Sequence, residues 1–439
     1  MHSFVRRSGV RLWCLVAALA VLGWAGQSEL TSREHQAAAA PAGGSGGVNR
    51  PEHRARPHLV LVSADGFKPE YLDRPDLPNV RRLVQRGTRA KGMTPVFPSL
   101  TFPNHYSLVT GLLPARHGIV NNTFYDPARR QTYSLSDRAA VEDGTWYGGE
   151  PIWVTAERQG MVAACFFWPG SEAAIQGIRP SYWKRYDAAI TGEDKVAAVV
   201  DWLRFNDERR PHMITMYFSE VDSASHLGRL DAPGVADAIR SLDRYIGQLL
   251  DGVDALPIRD RVYLLLTSDH GMIETSLAQT IRLESLVDLR GVLAFGGPVA
   301  ALHVTDGRRR PRELRDAINA TLAHGRAYLR GELPARFAFR TNPRAGDVVI
   351  VMNEGWTIAV GQRRSTRASD RWGAHGWDPA LPSMQATFVA SGPGIRAGAT
   401  VGTVRNIDVY PFMAEALGLR APPNLDGRAG VLRGLLVGR

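Results

Sequence analysis

The sequence has almost no cysteine. Among its 439 residues, only Cys14 and Cys165 occur. Because Cys14 lies in an apolar stretch near the amino terminus, a chain that loses this stretch keeps a single thiol and cannot form an internal disulfide. Cys165 lies in an apolar run, where a buried and unreactive thiol is expected. A disulfide framework is therefore excluded as the basis of the fold.

Long hydrophobic runs are also missing. The apolar run from Leu12 to Leu22 is shorter than the ~20 residues that a membrane-spanning helix needs. It follows three arginines and precedes small residues around Ala25, a pattern typical of a secretory signal peptide. We therefore expect residues 1–25 to be a signal peptide, with a mature chain that has no membrane span and is exported, either periplasmic or secreted. An uncleaved anchor is the alternative.

Charge of one sign is not concentrated in any long block. The formal net charge of +10 arises from 53 basic and 43 acidic residues that are dispersed along the chain. Dispersed charge does not predict a stable complex with nucleic acid, although a positive field favours small anionic substrates. The sequence leaves the oligomeric state unknown.

Hydrophobic periodicity distinguishes two parts of the remaining chain. Residues 26–57 lack it and are rich in Ala, Gly, Pro and charged residues, which predicts a flexible linker. Residues 58–439 are expected to form a single catalytic domain, because apolar runs alternate there with amphipathic segments. The predicted strands are 58–63, 162–167, 213–218, 262–267, 348–352 and 387–390, and the predicted helices are 77–86, 102–110, 195–205, 233–250, 313–322 and 407–417. This alternation is typical of a layered α/β fold around a largely parallel sheet.

Acidic residues follow three of the predicted strands. Asp65, Asp222 and Asp269 each follow an apolar β-run within four residues. Sites in open α/β sheets gather beyond the carboxyl ends of the strands. The three carboxylates are therefore predicted to converge, where they could bind cations.

Histidines accompany these carboxylates. His226 follows Asp222 by four residues, His270 follows Asp269 directly, and His375 lies in a glycine-flanked loop. Mixed oxygen and nitrogen ligands suit zinc. A single Asp/His pair is more often a capped turn or an ion pair, so the prediction of a metal site depends on their joint placement after strands.

Thr101 stands at a predicted helix start, two residues before a proline and ahead of an apolar run. This position favours a role as helix N-cap. A hydroxyl at a helix start also faces unpaired backbone N–H groups that favour phosphate. Position alone leaves both roles open.

Seven short motifs occur in order along the chain, from about Pro57 to Leu436: Ala-Asp65-Gly-Phe, Phe97-Pro-Ser-Leu-Thr101-Phe-Pro-Asn-His-Tyr, Arg116-His-Gly-Ile-Val-Asn-Asn122, Trp168-Pro-Gly, Asp222-x-x-x-His226, Ser268-Asp269-His270-Gly and His375-Gly-Trp-Asp. Together they resemble the landmarks of the nucleotide pyrophosphatase/phosphodiesterase family, within the alkaline phosphatase superfamily. The resemblance implies a three-layer α/β domain with a central, largely parallel sheet flanked by helices. It also implies an enzyme that hydrolyses phosphodiester or pyrophosphate bonds.

The same resemblance implies two Zn²⁺ per chain. One zinc would be held by Asp222, His226 and His375. The second would be held by Asp65, Asp269, His270 and the oxygen of Thr101. Thr101 would be the nucleophile and form a phosphothreonine intermediate, while Asn122 and the backbone N–H of Phe102 would donate to the non-bridging phosphate oxygen. The family counterparts of His105 and His117 are structural, so neither is assigned chemistry.

The substrate is predicted less directly. Two Zn²⁺ balance the charges of three aspartates and a threonine alkoxide, and such a near-neutral site suits a singly charged diester better than a dianionic monoester. Phe102, Leu135 and Tyr186 fall near positions that hold a nucleotide base in related enzymes, although core packing is the alternative for each. We therefore expect a small phosphodiester or nucleotide substrate.

Other readings stay open at this point. Diesters of choline or lysophospholipids, or phosphonates, are alternative substrates for the same chemistry. A secreted module that binds metal or phosphate without catalysis is the alternative outside the enzymes. A sulfatase is disfavoured because Thr101 stands where a modifiable Cys or Ser would be needed.

Overall fold

Strands and helices alternate in the computed structural model, which describes residues 46–361 and 369–437. The predicted signal peptide and the first part of the predicted linker lie outside these residues. The strands are β1 (His58–Ala64), β2 (Thr88–Ala90), β3 (Met93–Thr94), β4 (Thr123–Asp126), β5 (Gln131–Ser134), β6 (Ala163–Phe166), β7 (Tyr182–Lys184), β8 (Met213–Phe218), β9 (Val262–Thr267), β10 (Ile273–Ser276), β11 (Thr280–Arg282), β12 (Val292–Phe295), β13 (Val299–Val304), β14 (Gly325–Leu329), β15 (Val348–Met352), β16 (Thr357–Ala359), β17 (Arg371–Ala374), β18 (Phe388–Ser391), β19 (Ala399–Val401) and β20 (Val404–Arg405).

Six of the ten helices in the described residues lie close to their predicted ranges, and the other four were not predicted. The helices are α1 (Pro78–Arg86), α2 (Thr101–Thr110), α3 (Pro114–His117), α4 (Arg138–Glu142), α5 (Ile152–Arg158), α6 (Gly192–Leu203), α7 (Glu220–Leu227), α8 (Pro233–Asp254), α9 (Pro311–Thr321) and α10 (Val409–Leu417). Among the described residues, no helix combines the length and apolar character needed to cross a bilayer.

The central sheet has eight strands in the order β19-β2-β18-β9-β1-β8-β6-β7. β1 lies in its middle and pairs in parallel with β8 on one side and with β9 on the other. β18 pairs antiparallel with both of its neighbours, so the sheet is largely but not wholly parallel. Every residue of β1 and β9 is buried, which explains why both strands are continuous apolar runs in the sequence.

Both faces of this sheet are covered by helices. Side chains alternate along a strand, so Leu59 and Leu61 of β1 pack on one side with α2, α5 and α10, where Trp153 and Tyr410 are buried. Val60 and Val62 pack on the other side with α1, α6 and α8. The predicted three-layer α/β fold is therefore confirmed.

A second, smaller sheet has the order β12-β13-β15-β14 and is antiparallel throughout. It packs on α9 through a separate apolar cluster that includes Leu314 and Ile318. The run Val348–Met352 was predicted as a strand, and it belongs to this sheet rather than to the central one. A short apolar run has the same sequence pattern whichever sheet it joins, because the two sheets differ only in the strands that pair with it.

The last residues of the predicted linker, which ends at Pro57, lie within the described part of the chain and are packed against it. Asn49 is fully buried. Its side chain donates to the carbonyl oxygens of Asp207 and Arg210 and accepts from the backbone N–H of Val162. Three hydrogen bonds to distant segments anchor this stretch, although its composition gives no hydrophobic pattern.

Candidate metal centre

Three neighbouring strands of the central sheet deliver the three aspartates. Asp65 follows β1, Asp269 follows β9, and Asp222 lies in the first turn of α7, which begins two residues after β8. Because β8, β1 and β9 are adjacent and parallel, their carboxyl ends meet at one edge. The predicted convergence of the carboxylates follows from this strand order.

One group of donor atoms consists of Asp222, His226 and His375. The Nε2 atoms of His226 and His375 are 3.2 Å apart. They lie 3.2 Å and 3.4 Å, respectively, from Oδ1 of Asp222. The spacing of four residues places Asp222 and His226 on one face of α7, while His375 comes directly after β17. The His226 side chain is 37% exposed, so this group opens toward solvent.

In the second group, Asp65, Asp269 and His270 are buried, whereas Thr101 is partly exposed. Nε2 of His270 lies 2.9 Å from Oδ2 of Asp269 and 3.4 Å from Oδ1 of Asp65. Oγ1 of Thr101 is 3.4 Å from the same Nε2 atom. Asp65, Asp222 and His270 also offer atoms within 4.8 Å of one another, so the two groups adjoin. All seven residues predicted to hold metal are therefore gathered at one place.

Backbone carbonyls orient the three imidazoles. Nδ1 of His226, His270 and His375 lies 2.8, 2.9 and 3.0 Å from the carbonyl oxygens of Gly373, Gly271 and Ser99, respectively. A carbonyl can only accept, so each Nδ1 carries the proton and donates it. Each Nε2 lone pair is consequently left to face the centre, which is the arrangement that a neutral histidine needs to bind a metal.

The carboxylates each direct an unsatisfied oxygen into this centre. Oδ2 of Asp65 accepts from the Tyr217 hydroxyl at 2.6 Å, and Oδ1 of Asp269 accepts from the Gly66 N–H at 3.2 Å. Their other oxygens, together with Oδ1 of Asp222, are buried without a hydrogen-bond partner among the described residues. Buried anionic oxygens require a partner of opposite charge. The donor set therefore fits divalent cations, and its mixture of oxygen and nitrogen suits zinc.

Burial and neighbouring charges shift the pKa values of these carboxyl groups. Burial, followed by the charges of Asp269 and Asp222, raises the pKa of Asp65 well above its usual range. Burial also acts to raise the pKa of Asp269, but His270 and His105 outweigh it and the net pKa is lowered. Neighbouring buried carboxylates disfavour one another's ionised form, so positive charge among them favours ionisation of all three.

Thr101 is the first residue of α2, and Leu100 occupies the N-cap position without a side-chain cap bond. The hydroxyl is therefore not used as a helix cap, which was the alternative from position alone. Its Oγ1 points instead at His270. Beside it, Oδ1 of Asn122 accepts a 2.9 Å hydrogen bond from the Phe102 N–H. Asn122 is thereby held next to the start of α2.

The three residues predicted to hold the substrate are only partly brought together. The Leu135 N–H donates to the carbonyl oxygen of Asn122 at 3.0 Å, so Phe102 and Leu135 both adjoin Asn122. Tyr186 packs instead on Phe167, with ring centroids 5.2 Å apart. Leu135 and Tyr186 are 40% and 41% exposed, which removes core packing as their explanation.

His105 lies closer to the centre than its sequence motif indicated. Its Nδ1 is 2.9 Å from the carbonyl oxygen of Thr101 and 3.4 Å from Oδ2 of Asp269, and its Nε2 is 2.7 Å from the Ser63 hydroxyl. His105 thus connects the start of α2 to a carboxylate of the buried group. Its position four residues after Thr101, one helical turn away, is the signal that could have revealed this contact.

Fold and site together define a layered α/β protein with a candidate two-cation centre at the carboxyl edge of its central sheet. The family model described as type I phosphodiesterase / nucleotide pyrophosphatase matches residues 59–378. The chain therefore belongs to this family, and the resemblance noted in its sequence is confirmed.

Relatives support the same assignment. The chain is 37% identical over 402 residues to human ectonucleotide pyrophosphatase/phosphodiesterase family member 1, covering 89% of this chain and 43% of the relative. It is 35% identical over 404 residues to venom phosphodiesterase CdcPDE of Crotalus durissus collilineatus, covering 89% of this chain and 48% of the relative. The chain thus spans less than half the length of these curated relatives.

A solved structure extends the match to the fold. Murine ectonucleotide pyrophosphatase/phosphodiesterase 5, as an inactive threonine-to-alanine variant in complex with AMP, superposes with a TM-score of 0.79 at 30% identity. The match covers 87% of this chain and 100% of that one.

Proposed function

We propose that this chain hydrolyses phosphodiester or pyrophosphate bonds, with nucleotides as its substrates. The observation that carries the proposal is the gathering of six Asp and His side chains beside the hydroxyl of Thr101. Family membership supports this chemistry. The AMP complex of the structural relative supports a nucleotide substrate.

The two donor groups would hold two zinc ions. Asp222, His226 and His375 would bind one, and Asp65, Asp269, His270 and the Thr101 oxygen would bind the other. When bound, the ions would supply positive charge that favours the threonine alkoxide and stabilises the attacking and leaving oxygens. Support comes from the three unsatisfied carboxylate oxygens and the three Nε2 lone pairs that face the centre.

Thr101 would be the nucleophile. Its Oγ1 would form a bond to phosphorus while the bond from phosphorus to the leaving alcohol or phosphate breaks, giving a phosphothreonine intermediate. A water molecule would then attack phosphorus and release Oγ1. The position of Thr101 at the start of α2 supports this role, because backbone N–H groups there favour a phosphate.

Asn122 would stabilise the charge on the non-bridging oxygen. The Phe102 N–H can only donate, so the atom of Asn122 that it contacts must be the carbonyl oxygen. The side-chain amide of Asn122 is then left to donate to the substrate. Since the Phe102 N–H is already engaged, Asn122 is the stronger candidate of the two predicted donors.

We also propose that Leu135, Tyr186 and Phe102 contact the nucleoside part. Leu135 and Tyr186 are exposed, Phe102 is partly buried next to Thr101, and aromatic faces suit base stacking. Residues 58–439 would form one catalytic domain behind a signal peptide, and the enzyme would act after export. The relatives' names, an ectonucleotide enzyme and venom phosphodiesterases, support the extracellular setting.

The decisive experiment compares the purified chain on two chromogenic substrates. We expect p-nitrophenyl thymidine 5′-monophosphate to be cleaved faster than p-nitrophenyl phosphate, with both activities lost on chelation and restored by zinc. Thr101→Ala should lower kcat on the order of 10⁴-fold or more, because a nucleophile cannot be replaced. Thr101→Ser is the matched control, and it should keep measurable turnover because it retains the hydroxyl.

A faster monoester than diester rate would overturn the substrate assignment. Turnover by Thr101→Ala comparable to that of the parent would overturn the nucleophile. Zinc content of one or none per chain in the active protein would overturn the proposal of two metals.

A further inference from the structure

A buried lysine lies just behind the metal-binding helix α7. Lys195 belongs to α6 and is only 4% exposed. Lysine is almost never buried to this degree unless its charge is paired. The reaction proposed above makes no use of Lys195, so its burial needs a separate explanation.

The charge partner of Lys195 is the first residue of α7. Nζ of Lys195 donates to Oε1 of Glu220 at 3.1 Å. Asp222 follows Glu220 by two residues and His226 by six, on a helix that ends at Leu227. A helix of two turns has few internal hydrogen bonds, so its position depends on contacts with its surroundings. An anchor at its first residue therefore helps to constrain the position of both donors.

Aromatic rings enclose the same ammonium group. Nζ of Lys195 lies 5.2 Å from the ring centre of Phe218 and 5.7 Å from that of Phe167. Phe218 ends β8, immediately before α7. Phe167 has a left-handed backbone, with φ of 67°, and packs against Tyr186, one of the proposed nucleoside contacts. Lys195 therefore touches both the metal-binding helix and the support of the substrate pocket.

We propose that Lys195 is a positioning residue that sets the start of α7 relative to the Phe167–Tyr186 wall, and so sets the geometry of the Asp222, His226 and His375 group. This inference rests on the proposed zinc centre. Removing one member of a buried ion pair leaves the other charge uncompensated. The Glu220 side chain is 31% exposed, but its Oε2 atom is buried without a hydrogen-bond partner among the described residues. Loss of Lys195 would therefore turn Glu220 toward solvent and shift the first turn of α7.

The test measures zinc binding and catalysis in separate assays. Lys195→Met keeps the length and apolar stem of the side chain and removes the charge. We expect about tenfold weaker zinc binding to one of the two sites by titration of the metal-free full chain, and a kcat about tenfold lower with KM changed less than about twofold. Lys195→Arg should restore both values, because it restores the ion pair.

Arg204→Met is the matched control. Arg204 is the C-cap residue that follows α6, and it pairs with Asp201 at 2.7 Å, but both side chains are exposed. Removing this cation should leave zinc affinity and kcat unchanged, because exposed ion pairs contribute little.

The outcomes separate positioning from mere stability. A lower free energy of unfolding for Lys195→Met, with zinc affinity and kcat of the folded protein unchanged, would overturn the proposal. If that variant fails to fold, Glu220→Gln tests the same pair from the other side, and parental zinc affinity there would also overturn it. Zinc titration needs no substrate, so a parent that binds two zinc ions without cleaving nucleotides would refute the proposed function and still leave Lys195 tested.

Discussion

The two ends of the central sheet each carry a stacked pair of buried histidines, and the pairs have different surroundings. At the carboxyl end, His270 and His375 stack with centroids 3.5 Å apart and an interplanar angle of 14°. At the amino end, His58 and His212 stack at 4.3 Å and 10°. His58 and His212 lie at the starts of the parallel strands β1 and β8, and His270 follows the parallel strand β9. His375 follows β17, which belongs to a separate antiparallel pair.

Neighbouring groups separate a candidate metal centre from a structural pair. The amino-end rings each face a backbone carbonyl, from Pro211 and Pro57, and arginines are the nearest charges. Burial, with the partner ring second, lowers the pKa of His58 to about 2. The carboxyl-end rings face carboxylates with unsatisfied oxygens. Histidine pairing alone therefore does not indicate a metal, whereas histidine beside unsatisfied carboxylates does.

The strongest test replaces one ring at each end. His375→Phe keeps a stacked aromatic ring against His270 but removes the Nε2 donor. We expect kcat/KM for a nucleotide diester to fall on the order of 10³-fold, since a bound metal contributes several kcal/mol of charge stabilisation. His212→Phe should keep activity within about threefold, because it is distant from the reacting atoms. An equal loss of kcat/KM in the two variants, measured at the same concentration of folded protein, would contradict the view that only the carboxyl-end pair belongs to a metal centre.

A second test examines a residue of the carboxyl end that is not proposed to bind metal. Asn122→Ala should lower kcat about 100-fold while zinc content stays at the parental value, because it removes one hydrogen-bond donor to the developing charge. Steady-state kinetics and metal analysis on the same sample give both numbers. Loss of zinc from Asn122→Ala would assign this residue to the metal centre instead.

The smallest expected effect concerns acid stability at the amino end. The pKa of His212 is lowered to about 4, chiefly by burial, and that of His58 is lower still. Unfolded histidines have a pKa of about 6.5, so between pH 6.5 and 4 the unfolded chain binds more protons and stability falls with falling pH. Each histidine contributes a slope of about 1.4 kcal/mol per pH unit.

His212→Phe removes one group that takes up a proton on unfolding, so it should lower the slope of stability against pH by about 1.4 kcal/mol per pH unit. Urea unfolding of the metal-free chain at several pH values between 4.5 and 7 measures it for variant and parent. Metal-free protein is needed because acid also displaces metals from histidine ligands. An unchanged slope would show that the pair does not resist protonation.

Much of the fold was predictable because burial leaves a strong pattern. The fully buried central strands read as continuous apolar runs, and α8 reads as an amphipathic helix, so their types were predicted correctly. The partners of a strand are not encoded locally, which is why Val348–Met352 could not be assigned to the second sheet. Asn49 was missed for a related reason, since polar anchoring by hydrogen bonds leaves no hydrophobic period.

The candidate site also has a part that the sequence predicted and a part that it did not. Its six Asp and His donors were predictable because strand ends and ordered motifs point to them. The side-chain contacts that orient them were not. The contact of His105 with Asp269 and that of Lys195 with Glu220 join residues far apart in sequence, and only the spacing of His105 from Thr101 gave a local signal. Tyr186 also gives no sign in the sequence of its contact with Phe167.

The adjacency of β8, β1 and β9 has a consequence for how this protein can change. The three aspartates are spaced by the backbone ladder of the sheet, whereas Leu135 and Tyr186 stand on segments outside that ladder. Insertions or exchanges in those outer segments can alter which molecule is accepted and leave the distances between the carboxylates intact. Under the proposed function, these outer segments bear on ligand choice and Lys195 is a contact between one of them and the metal-binding helix. Loops away from that contact are therefore the natural place to engineer new substrates.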